Sequence, residues 1–273
     1  MKLNLERSFT APFTSMGESS LSTIYLIAGG ITLLAFVLIM LFQFGFQVIL
    51  GILQVAAGDG TGAIVVGVLS IIVSLLLVVV NMACMALPYG YITETAKLEI
   101  YDRTSIMPSW EGNFARFFWN GLKVQLIMLV YGILIVLLCL IPILITVAIA
   151  ILVNGQSSDI MGIVGGIGGI ICFIIIATVI LFYMFMLPMI IVFFAAEGRM
   201  SAGFNVIGIW GKILTNIVEY LLAIVIVILL SIVAGIAGTV IVCTCIGILV
   251  IPLLWYFIFP IISLNMFAQL YKD

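Results

Sequence analysis

The chain contains no His, so the side chain that most often carries protons near neutral pH is missing from all 273 residues. Its clustered carboxylates, Glu94, Glu99 and Asp102, alternate with Lys97 and Arg103, a pattern of a solvated charged linker rather than of an acid–base pair. Ser70 and Ser74 lie four apart in an apolar run, where hydroxyls without a neighbouring base bond back to the helix backbone. Cys243 and Cys245 form a Cys-x-Cys pair, but with no His and no second pair they lack the four ligands of a structural metal site. The run from Gly162 to Gly169 has neither the Lys nor the preceding strand of a phosphate loop. Its spacing, Gly162/Gly166 and Gly165/Gly169, suits close packing of membrane helices instead. No catalytic set, metal or cofactor follows from these residues, and the chain reads as a non-enzyme.

What remains is polarity in unusual places. With 66% hydrophobic and 7% charged residues, the chain is too apolar for a water-soluble domain and reads as one membrane domain over residues 1–273. Against that background Gln43, Gln47, Asn81, Gln125, Asn216, Glu219 and Asn265 are the main polar residues inside apolar runs. An amide at Asn81 is costly facing lipid and should face protein or a cavity. Glu219 is the one carboxylate drawn into a span: a transporter would use it for a proton or cation, whereas a bundle would pair it with a basic residue at the interface.

Six runs, roughly 21–53, 63–92, 120–153, 161–195, 216–242 and 246–270, are each long enough for a hydrocarbon core of about 30 Å at about 1.5 Å per residue. Lys2, Arg7, Lys97, Arg103, Arg116, Lys123, Arg199, Lys212 and Lys272 all fall on one side of this arrangement, and the other side carries Asp59 and Asp159. Basic residues are retained in the cytoplasm during insertion, so both termini are expected inside, with the chain in the cell membrane. The first twenty residues lack the apolar centre and cleavage site of a signal peptide, and the N-terminus is expected to be retained.

Near the basic side the aromatics gather. Phe9, Phe13 and Met16 share a helical face, as do Phe114, Phe117, Phe118 and Leu122, a pattern of helices lying in the headgroup layer. Trp110, Trp119 and Trp210 fit an aromatic belt, and with Arg116, Lys123 and Lys212 they form the candidate surface for lipid or a partner protein. The chain also repeats: Tyr25, Tyr131 and Tyr220 head the odd-numbered spans, and Pro88, Pro188 and Pro260 close the even-numbered ones. The repeats run over about 1–100, 101–200 and 201–273. The two prolines at 88 and 188 should kink their helices and turn the following segments along the surface. Packing around a pseudo-threefold axis would bring Lys97 to Glu197 and Glu99 to Arg199.

The residues Leu87-Pro88-Tyr89-Gly90-Tyr91, Met107-Pro108-Ser109-Trp110, Phe118, Gly121 and Lys123, with the opening Ser8-Phe9-Thr10-Ala11-Pro12-Phe13, carry a resemblance over most of the chain. It resembles the bacterial and archaeal membrane family catalogued as domain of unknown function 4013, and more distantly the membrane domain of some glycerophosphodiester phosphodiesterases. The resemblance implies architecture and no activity.

The expected fold is an all-α integral membrane bundle of six transmembrane helices, arranged as three helical hairpins with interfacial amphipathic helices on the cytoplasmic side. The expected function is non-enzymatic binding of lipid or a partner protein at that side, as a scaffold, assembly or accessory component. The alternative is a small-solute or lipid transporter, supported by the repeats, the prolines, Asn81 and Glu219. No nucleic-acid partner is expected.

Overall fold

A computed structural model describes residues 3–14, 21–57, 61–102, 107–153, 158–242 and 251–271. The elements in chain order are α1 (Leu5–Thr10), a 3₁₀ turn (Ala11–Phe13), α2 (Leu21–Ala57), α3 (Thr61–Asp102), α4 (Phe114–Val153), α5 (Ser158–Glu197), α6 (Met200–Gly203), α7 (Val206–Thr215) and α8 (Ile217–Val242). A π-helical turn (Leu254–Ile258) then leads into α9 (Phe259–Tyr271). No strand element occurs among the described residues. Six helical stretches are long and apolar enough to cross a membrane: Leu21–Leu53, Ile64–Tyr101, Phe114–Ile149, Gly166–Glu197, Ile217–Thr239 and Ile251–Tyr271. Asp59 and the pair Cys243 and Cys245 lie outside the described residues.

The helices begin and end where their residues dictate. Asn4 caps α1, its Oδ1 accepting from the Arg7 N–H at 3.0 Å, and Asn205 caps α7 in the same way through the Gly208 N–H at 3.0 Å. Gly198 stops α5: its φ of 70° is left-handed, and its N–H donates to the Phe194 carbonyl at 2.7 Å, closing the last turn.

Burial is uneven along the bundle. Val136, Ile151, Ile170 and Ile232 are exposed, as suits helices whose solvent is lipid. The packed core sits toward the basic end, where α3 touches α2, α4, α5 and α9. There α3 and α4 cross with their backbones in contact. A Cβ built on Gly90 would stand 1.7 Å from the Phe117 carbonyl oxygen, and one on Gly121 would stand 1.7 Å from that of Ala86. Only glycine fits at either place. The glycine run expected to make such a contact does not make it at Gly166 or Gly169, where an added Cβ would meet nothing within 4 Å.

Two further expectations are corrected. The helices continue through Pro88 and Pro188, and of the expectation at these prolines it is the turn of the following segments along the surface that is overturned. Tyr91, Ile92, Ala96 and Ile100 are buried, as are Val192 to Ala196, because α3, α5 and α9 meet there and cover these side chains. The amphipathic stretch from Phe114 to Lys123 is not a separate interfacial helix but the first turns of α4, since the Gly90–Gly121 crossing holds it against α3.

Candidate functional site

At the basic end most of the residues chosen from sequence as a binding surface turn inward or engage neighbours. Trp110 is buried: its ring stacks on Tyr91 at 4.4 Å and meets Phe117 edge-on at 5.4 Å, while the Tyr91 hydroxyl donates to the Pro108 carbonyl at 2.7 Å. The segment carrying Trp110 therefore plugs the bundle rather than lying in an aromatic belt. Arg116 reaches the buried carboxylate of Glu94 at 3.3 Å and lies over the Phe117 ring. Trp210 packs on Phe182 and Phe185, and the Lys212 ammonium sits 5.9 Å from the centre of the Tyr271 ring. Lys123 is half-buried. Trp119 alone of the three tryptophans is well exposed, at 59%.

Neither ion pair that a pseudo-threefold packing would bring together is found among the described residues. Glu99, whose side chain is 1% exposed, meets Arg7 of α1 at 3.1 Å, and Glu197 meets its near neighbour Arg199 at 2.8 Å. The carboxylate of Glu99 points at the N-terminal helix because that helix is itself fastened over the end of the bundle. Gln269 of α9 accepts from the Asn4 N–H at 2.9 Å and donates to the Ser8 hydroxyl at 2.9 Å, and Ser8 donates to the Asn265 side-chain Oδ1 at 3.3 Å. These amides, apart from Asn4, are buried, so the two ends of the chain are joined by a polar latch. The sequence marked Asn265 as polar but gave no sign of its partners.

Three tyrosines at the heads of odd-numbered spans also act as ties: the hydroxyls of Tyr25, Tyr131 and Tyr220 donate to the carbonyls of Pro12, Gly203 and Phe185. Glu219, beside Tyr220, lies in the first turn of α8, where the positive end of the helix dipole favours a carboxylate.

Among the described residues, two amides without a partner share one open space in a cleft beside α3. It has α3 as its floor and α2 and α4 as walls, with Tyr256 closing one end, and its volume is about 560 Å³. Each helix contributes one stripe: Phe36, Met40 and Gln43; Val78, Asn81, Met85 and Tyr89; Gln125, Leu129 and Gly132. This is the spacing of a single helical face. Gln43 and Asn81 are exposed, and neither amide has a hydrogen-bond partner among the described residues. Gln125 differs: buried, it donates to the Met82 carbonyl at 2.7 Å and fastens α4 to the cleft floor. Asn81 was legible in the sequence as an anomaly. Gln43 and Gln125 were legible only as polar residues, because nothing in one chain says which faces of α2 and α4 meet α3.

A second cavity of about 190 Å³ lies where the proline-bearing spans meet, lined by Thr93, Pro188, Ile191, Pro260 and Ser263. Tyr89 and Met128 line both cavities and so stand between them. Among the described residues no group of three His, Cys, Asp or Glu is placed to hold a metal ion.

Six apolar helices, a packed end that carries the charged residues and an uncharged polar cleft between spans define a multi-pass helical membrane protein. The chain belongs to the family described as protein of unknown function (DUF4013), whose model matches residues 72–243, more than half of its length. No curated protein and no solved structure matches it.

Proposed function

We propose that this protein is a non-enzymatic component of the cell membrane that binds lipid, with its basic end toward the cytoplasm and the cleft beside α3 as its site. One observation carries the reading: the amides of Gln43 and Asn81 face one open space from apolar stretches of α2 and α3, with no hydrogen-bond partner among the described residues. A polar group in hydrocarbon without a hydrogen bond costs several kcal/mol in model transfer, so a molecule that satisfies these amides is favoured there. The basic end offers less. Arg116, Trp210 and Lys212 are already engaged, which leaves Trp119 as the main exposed anchor for a partner protein.

The test is what co-purifies in mild detergent. Lipid near one molecule per chain is expected by mass spectrometry. It should be lost from a Gly132→Leu variant, because Gly132 lines the cleft and an atom added there meets nothing within 4 Å. A stoichiometric protein partner without lipid, or lipid retained undiminished by the variant, overturns the reading. A transporter reading draws on the second cavity, since movement of Tyr89 and Met128 would join it to the cleft. Flux through reconstituted vesicles, abolished by the same Gly132→Leu change, would favour transport over simple binding.

A further inference from the structure

We infer that the cleft beside α3 selects an uncharged lipid whose head carries a carbonyl or hydroxyl group. This rests on the lipid-binding reading and narrows it to a chemical class. The argument starts from charge. No residue lining the cleft is ionisable at neutral pH, its polar groups being the amides of Gln43, Asn81 and Gln125 and the phenols of Tyr89 and Tyr256. The nearest basic residue along α4, Lys123, is two residues from Gln125 and therefore about 200° around the helix from it, on another face. Arg116 is held by Glu94, and Arg7 by Glu99. A phosphate in the cleft would thus lose its water without gaining a cation, a cost far above that of a neutral head.

The geometry of donors and acceptors points the same way. An amide offers both an NH₂ and a carbonyl oxygen, so two amides facing one space match a ketone, an ester or an alcohol equally well. Asn81 lies thirteen residues before Glu94 on α3, about 20 Å along the helix, which puts it well inside the apolar length of the span and away from the charged end. Heads that tolerate this depth are the uncharged ones. The floor carries Met82 and Met85 and the walls Met40 and Met128, whose flexible thioethers conform to a chain of either acyl or isoprenoid form. A volume of about 560 Å³ holds a head and the first part of such a chain, and the remainder lies in the bilayer.

The experiment uses the full chain in phosphatidylcholine vesicles with three diazirine-bearing probes: a diacylglycerol, a prenylated quinone and a phosphatidylglycerol. One or both neutral probes should label the α2 and α3 walls several-fold more strongly than the anionic one, and which of them does so separates acyl from isoprenoid ligands. Replacing both amides, Gln43→Leu with Asn81→Leu, should lower that labelling about tenfold, the loss of two membrane hydrogen bonds of average strength. Competition on the native protein by unlabelled neutral and anionic lipid gives the same answer if the double variant fails to fold. Labelling of the cleft by the anionic probe at equal strength overturns the inference and leaves lipid binding standing. No labelling of the cleft by any probe, or a protein–protein cross-link through it, overturns both.

Discussion

Substituting Gly90 or Gly121 with Ala should break the α3–α4 crossing. The added methyl carbon would lie 1.7 Å from a carbonyl oxygen in each case, and in the Gly90 variant also 2.5 Å from the Phe117 carbonyl carbon. An unstrained carbon–oxygen contact is about 3.3–3.6 Å, so the helices must separate by roughly 1.5–2 Å. The obstacle is backbone, which cannot change rotamer as a side chain does. Overpacking a core costs about 1–3 kcal/mol when side chains give way, so about 3 kcal/mol or more is expected here. The separation also pulls Gln125 from the Met82 carbonyl, since that bond spans the same two helices. The assay is reversible unfolding in mild detergent, with Gly67→Ala and Gly132→Ala as controls because nothing lies within 4 Å of a Cβ at either. The two damaging substitutions should combine for less than their sum, because helices parted by the first already accommodate the second. Near-native stability of Gly90→Ala, or full additivity of the pair, would refute the close crossing.

Removing the latch by Gln269→Leu should cost about 1–3 kcal/mol, since it leaves the Asn4 N–H without its acceptor and takes from Ser8 the donor that Gln269 supplies; hydrogen exchange should rise first in α1. Glu99→Gln should destabilise by about 2 kcal/mol, below the ~3–5 of a fully buried pair because the Arg7 side chain is 23% exposed, and detergent melting curves check it. Reversing Lys97 and Glu197 singly and together should give additive effects in a double-mutant cycle, because the structure places no pair between them. Single cysteines at positions 59 and 159 should react with a membrane-impermeant thiol reagent in intact cells, and one at position 97 should not; the reverse pattern would invert the proposed topology.

Composition and hydropathy alone determined the class of this protein. Six apolar runs in a chain with 7% charged residues can hide their backbone in a membrane only as helices, and their bounds fall within about five residues of the observed spans except in α3, which continues to Asp102, and α4, which starts at Phe114. Asn81 was legible too, as a polar residue out of place. Which helix faces which was decided only by the tertiary structure. A short segment between spans carries no periodicity, so Trp110 reads alike as belt or core, and a charge at the end of a span does not name its partner, so Glu99 reads alike as the partner of Arg199 or of Arg7. The deciding contacts are between segments far apart in the chain: Gly90 against Phe117, Gln269 against Asn4, and three stripes from three helices around one cleft. They depend on close approach and relative rotation of helices, and a single sequence encodes those only through the sum of its packing.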